Sequence, residues 1–122
     1  MAEEIRDQEE EIAVAEQEAA QDTGEQFVYK FKKPFTYNGK TYEELTFDYE
    51  SLTGKDSLAV ESELESKGIM VIVPSFSSAY LLRIAARACT NHIGTDVLEA
   101  LPLKVYNRIR SKTRNFLMGS EQ

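Results

Sequence analysis

One cysteine and one histidine, Cys89 and His92, stand three residues apart in "RACTNHIG", a spacing that can place both on one face of a helix. A thiolate beside an imidazole is the nucleophile of some enzymes, and a lone imidazole can act as a general base. Here, however, Cys89 falls on an alanine-rich stripe with Ala79, Leu82 and Ala86. A thiol buried on such a stripe is inert, and no Asn or Asp is identifiable as the group that would orient the imidazole. A single Cys and a single His do not supply the ligands of a structural zinc site. The single cysteine also excludes an internal disulfide and points to a reducing compartment. "YNGK" and "LTGKDS" end like a phosphate-binding loop but lack the glycine five places before Gly-Lys; for Gly54 that position is Tyr49. The Asp and Glu residues cluster in an acidic N-terminal stretch and on one helix, as solvated faces do. The expectation is a non-enzymatic protein with no catalytic residue, no cofactor and no metal.

The other chemistry on offer is ionic. "LEALPLKVYNRIRSKTRNFLMG" carries five bases between Lys104 and Arg114. Lys104, Arg108 and Lys112 recur every fourth residue, and Arg110 with Arg114 forms a second row. Two rows could grip a phosphate backbone, which makes a small nucleic-acid-binding regulator the alternative function, but they suit a single groove-facing stripe poorly. A membrane-surface helix is weaker still, because the apolar side is narrow and has no Trp.

Charge is unevenly spread. The chain has 122 residues and a formal net charge of −7, a length that gives room for one modest core. Residues 1–25 hold ten acids against Arg6 alone. Glu43 to Glu65 holds eight acids against Lys55, whereas Ala79 to Gln122 holds seven bases against three acids. Overall acidity disfavours a general nucleic-acid binder, while the basic final third keeps a local phosphate contact open. No apolar run approaches the roughly 20 residues of a membrane span. The acidic N-terminus is unlike a secretory or organellar targeting signal.

These groups must be held by an α+β fold. Residues 1–25 read as an acidic disordered leader, with Ile5, Ile12 and Val14 too few to line a core. Residues 26–119 read as one domain. In "FVYKFKKPFTYNGKTYEELTFDY" aromatics alternate with polar residues, and Asn38-Gly39 suits a type I′ turn, so a β-hairpin is expected over about 27–48. Pro34 cannot donate to a ladder and belongs at an edge or bulge. Three to four helices follow, over about 55–66, 77–91, 95–100 and 102–118. Thr53 and Asp56 suggest a capping box for the first, Gly68 its stop, and Leu58 with Leu64 a thin apolar face. "IMVIVP" is β-branched and apolar, which predicts a short third strand or a buried extended linker. Ser75, Ser77 and Ser78 offer caps to the central helix, which should end at Gly94; there Arg83 and Arg87 share a face with Tyr80 and can pair with acids of the middle segment. Thr95 and Asp96 offer a cap to the short helix, and Pro102 suits the first turn of the last.

Three stretches in order resemble the small tail assembly chaperones of tailed bacteriophages and prophages. They are "FDYESLTGKDSLAVESE", with Phe47, Leu52, Thr53-Gly54-Lys55-Asp56 and Glu61; "PSFSSAYLLRIAARA", with Ser77 or Ser78, Tyr80 and the alanine-rich helix; and Leu98, Leu101-Pro102 and Asn115-Phe116-Leu117 of the final segment. The resemblance spans roughly Phe27 to Met118. It implies a protein of the host bacterial cytoplasm, absent from the mature virion, that binds the tape measure protein during tail morphogenesis. Tail tube protein and self-association are further contacts it allows; membrane and nucleic acid are not. Helix-in-groove contacts would run through Tyr80, Leu81, Tyr106, Phe116, Leu117 and Met118, with Arg83, Arg87 and Arg110 as charged neighbours. Leu82, Val105 and Ile109 are expected in the core, and Phe116-Leu117-Met118 as an exposed patch.

Overall fold

The computed structural model describes residues 26–119; the acidic leader expected at 1–25 lies outside them. Among the described residues, strand β1 (Phe27–Tyr37) comes first and runs antiparallel to β2 (Lys40–Phe47). Asn38 and Gly39 take positive φ of 53° and 83°, so the two-residue turn is of the kind that matches strand twist. Phe27 faces Phe47 and Tyr29 faces Leu45, but the register slips between Lys30 and Phe35, around Pro34, which has no N–H to give the ladder.

A 3₁₀ turn (Tyr49–Ser51) leads into α1 (Gly54–Ser66). The capping box is complete: Thr53 Oγ1 accepts from the Lys55 N–H at 3.3 Å, and Asp56 Oδ2 accepts from the Thr53 N–H at 2.8 Å. The stop is a Schellman motif. The Gly68 N–H donates to Glu65 O at 3.0 Å, the Ile69 N–H donates to Leu64 O at 2.9 Å, and Gly68 has φ 75°. The face α1 buries is Val60 and Leu64; Leu58, expected inside, is exposed.

"IMVIVP" corrects the sequence reading. It is neither a third strand nor buried: the sheet has two strands, and Ile69, Met70, Ile72 and Val73 are open to solvent. Ile69–Val73 runs as an irregular connector into a second 3₁₀ turn, Pro74–Phe76. Then α2 (Ser78–Ala88) starts on Ser77, whose Oγ accepts the Tyr80 N–H at 3.2 Å. α2 crosses the centre of the molecule and buries Tyr80, Leu81, Leu82, Ile84, Ala85 and Ala88.

α2 ends at Ala88, earlier than the expected 91. Cys89 turns extended and bridges to Phe47. The Asp48 N–H donates to Ala88 O and the Thr90 N–H to Thr46 O, both at 2.8 Å. Asn91 Oδ1 accepts the Thr46 N–H at 3.0 Å. A tertiary ladder therefore outcompetes the last helical turn. α3 (Thr95–Glu99) is capped by Gly94, with no side-chain cap from Thr95 or Asp96. α4 (Leu103–Met118) follows Pro102, which serves as its N-cap, and stops at Gly119 with φ 64°.

The main core joins Leu45 and Phe47 of the hairpin to Leu82 and Ala85 of α2, Leu98 of α3 and Ile109 of α4. A smaller one sets Val60 and Leu64 of α1 against Tyr80 and Ile84.

Candidate functional site

Cys89 and His92 sit in different environments, one buried and one exposed. The Cys89 thiol is buried, its pKa is pushed up by that burial, and it donates to Asn91 Oδ1 at 3.5 Å. A protonated, buried thiol is a poor nucleophile. The Asn91 amide serves β2: its Oδ1 accepts the Thr46 N–H, and its Nδ2 donates to Glu44 O at 3.4 Å. His92 is exposed with φ 56°, and like Cys89 it lies beyond the end of α2. Among the described residues no group of three His, Cys, Asp or Glu could hold a metal ion, and no helix is long and apolar enough to cross a membrane.

The expected contact residues separate into two sets. Tyr80, Leu81 and Arg83 are turned inward, with little of their surface left to solvent. Tyr80 sits against α1 with its hydroxyl 2.6 Å from Ser57 Oγ. Arg83 Nε donates to Glu63 Oε2 at 2.5 Å and Nη1 to Ala79 O at 3.1 Å. Arg87 Nε donates to Asp56 Oδ1 at 2.8 Å. Both arginines thus bind α2 to acids of α1, the pairing expected from sequence. The cause is helical spacing: Arg83 and Arg87 lie one turn apart on the side of α2 that α1 covers. The hydrogen bond from Arg83 holds Glu63 below the usual carboxylate range; the Thr53 N–H, and after it Arg87, does so for Asp56.

At the end of α4, Phe116 is half-buried, stacked on Tyr49 at 5.2 Å, and Leu117 packs on the smaller core. Of that trio Met118 alone is exposed. Tyr106 and Arg110 are half-buried at the surface of α4.

Four of the five bases of α4 are laid on rings of the same molecule. Arg108 lies 5.6 Å from the Tyr29 centroid and Lys112 5.4 Å from that of Phe27, over the hairpin. On the other row Arg110 lies 6.0 Å from Tyr106 and Arg114 5.6 Å from Phe76. Each contact holds a cation by the ring quadrupole and orders the side chain along the helix.

The most exposed large apolar residues sit where the sequence suggested burial. On the connector Met70 is 82% exposed, Ile72 83% and Phe76 69%, with Ile69 and Val73 also open to solvent. Beside it an open groove of about 530 Å³ runs between the start of α2, α3 and the start of α4. Ile69, Ala79, Leu82, Leu101, Leu103 and Tyr106 give it an apolar lining, and Arg83 with Glu99 lies at its margin. Leu103, at its edge, is 71% exposed. One feature of the sequence could have exposed the connector: the run lies between the Gly68 stop and the Ser77 cap, with no partner strand to receive it. No protein-family model, curated protein or solved structure matches this chain.

Proposed function

We propose that this chain is a non-catalytic tail assembly chaperone of a tailed phage or prophage, which binds the tape measure protein while the tail is built. The observation that carries the proposal is the apolar connector Ile69–Phe76 lying open beside an apolar groove. Solvent-facing clusters of large apolar side chains on a small charged domain are docking surfaces. A groove between helices takes the apolar stripe of a partner helix. The ordered motifs from Phe47 to Leu117 support the same proposal, and they occupy defined positions in the fold. Thr53 and Asp56 form the capping box, Ser77 caps α2, and Leu98 and Leu101 lie in the core.

The task explains the composition. A long helical rod with apolar stripes aggregates unless it is covered, and a cover rich in charge keeps the complex dispersed. The contact surface moves accordingly: Tyr106, Arg110 and Met118 remain in it, and Ile69, Met70, Ile72, Val73, Phe76 and Leu103 join it.

Binding of purified chain to the tape measure protein encoded beside it, measured across a salt series, tests the proposal. Apolar docking persists as salt rises. A nucleic-acid regulator acting through α4 would instead bind oligonucleotides and lose affinity steeply with salt. That reading has less support, because Arg108 and Lys112 of the first basic row rest on aromatic rings of the hairpin.

A further inference from the structure

Arg110 and Arg114 project from α4, one turn apart, toward the Pro74–Phe76 turn. Between them lies a cavity of about 120 Å³, lined by Ser75, Phe76, Leu81, Arg110, Ser111 and Arg114. Arg110 Nη1 donates to Ser78 Oγ at 3.3 Å. The Nε atoms of both arginines are buried and have no hydrogen-bond partner among the described residues. The ion pairs found among the described residues engage Lys67, Arg83 and Arg87, and neither of these two.

A buried N–H on a charged group is costly when nothing accepts from it, and two like charges one turn apart repel. Two donors, two positive charges and the hydroxyls of Ser75 and Ser111 call for one kind of occupant, an oxyanion. The planar guanidinium fork matches the paired oxygens of a carboxylate or of a phosphate. The wall of the cavity identifies the source. Phe76 belongs both to this cavity and to the exposed apolar connector, so whatever covers the connector also reaches the cavity mouth. A free phosphate would satisfy the arginines and leave Phe76 and Val73 in water.

We infer that the Arg110–Arg114 cavity receives the carboxylate of an Asp or Glu side chain on the bound protein segment, with apolar neighbours of that acid seated on the connector. The inference rests on the protein-binding function proposed above, and it adds an acidic residue flanked by large apolar ones to the description of the partner. The cavity fixes the register of a partner segment that apolar contact alone would let slide, since a carboxylate out of place leaves the two donors unmet.

Two measurements decide it. In the first, the free protein is titrated with acetate and, separately, with inorganic phosphate at constant ionic strength, and the arginine Nε–H resonances are followed by NMR. Saturable acetate-induced shifts of the Arg110 and Arg114 resonances, absent for Arg108, are expected. Shifts with phosphate alone, or with neither probe, overturn the inference. In the second, Arg110→Gln/Arg114→Gln is compared with the wild type for affinity to the tape measure protein. A loss of tenfold or more is expected, with Arg108→Gln close to wild type; equal binding by the double variant overturns the inference. Wild-type protein that binds no tape measure at all contradicts the proposed function instead, and the acetate titration still decides the cavity.

Discussion

Asp56 and Arg87 are joined at 2.8 Å across α1 and α2, and the same Asp56 carboxylate closes the capping box of α1 at Thr53. One side chain therefore starts a helix and docks it. Asp56→Asn keeps part of the cap and loses the charge pair; Asp56→Ala loses both. The Ala variant should be destabilised by about 1–2 kcal/mol, mostly through the cap, because Arg87 is half-exposed and an exposed ion pair contributes little. Urea unfolding of the two variants checks the ordering.

Asp56 and Glu63 together set an acid sensitivity. Both carboxyls titrate below their ordinary values of 3.8 and 4.5, so at mildly acidic pH the unfolded chain binds more protons than the folded one. Their stabilising contribution is complete above the unfolded values. It is lost as pH falls through the lower folded values. The unfolding midpoint should decline from about pH 5 downward, and the slope should flatten in Asp56→Asn/Glu63→Gln. An unchanged slope in that double variant would contradict the assignment.

Thr113 is fully buried in α4. Its hydroxyl donates to Ile109 O at 2.8 Å, which leaves the Tyr49 hydroxyl, 2.9 Å away, as donor to Thr113 Oγ1. Thr113→Val strands the tyrosine proton and should cost about 1–3 kcal/mol. Adding Tyr49→Phe removes the stranded group, so the double variant should be less destabilised than the two single costs summed. Thermal unfolding of the full cycle measures the coupling.

Gly68 is needed for its φ of 75° and for nothing else: a Cβ there would meet no atom within 4 Å. Gly68→Ala should therefore cost about 1 kcal/mol through backbone strain, read from the denaturant midpoint, with the near-ultraviolet spectrum unchanged.

Much of the fold was legible because it is written locally. Asn38-Gly39, Thr53 with Asp56, Gly68 and Ser77 each fix a chain reversal or helix end by their own backbone or side-chain chemistry. What was misread depends on distant partners. Cys89 to Asn91 look helical until the hydrogen bonds to Thr46 and Glu44 are known. Ile69 to Val73 have strand propensity, but the sheet stops at two strands without them. Tyr80 and Leu81 read as contact residues, yet both are buried, Tyr80 against Val60 and Leu64 of α1. The candidate site inverted for that reason: periodicity shows which residues are apolar, and only packing shows which of them stay wet.

The connector gives the most direct test. Met70 and Ile72 are almost wholly exposed, so Met70→Asp/Ile72→Asp should shift stability by no more than about 0.5 kcal/mol per site. Co-expression of the tape measure protein with wild-type chain, with this variant and alone compares its soluble yield. The account predicts a soluble tape measure with the wild type, and an insoluble one with the equally folded variant and without the chain. A tape measure no more soluble with the wild type than alone, or equally soluble with the variant, would contradict it.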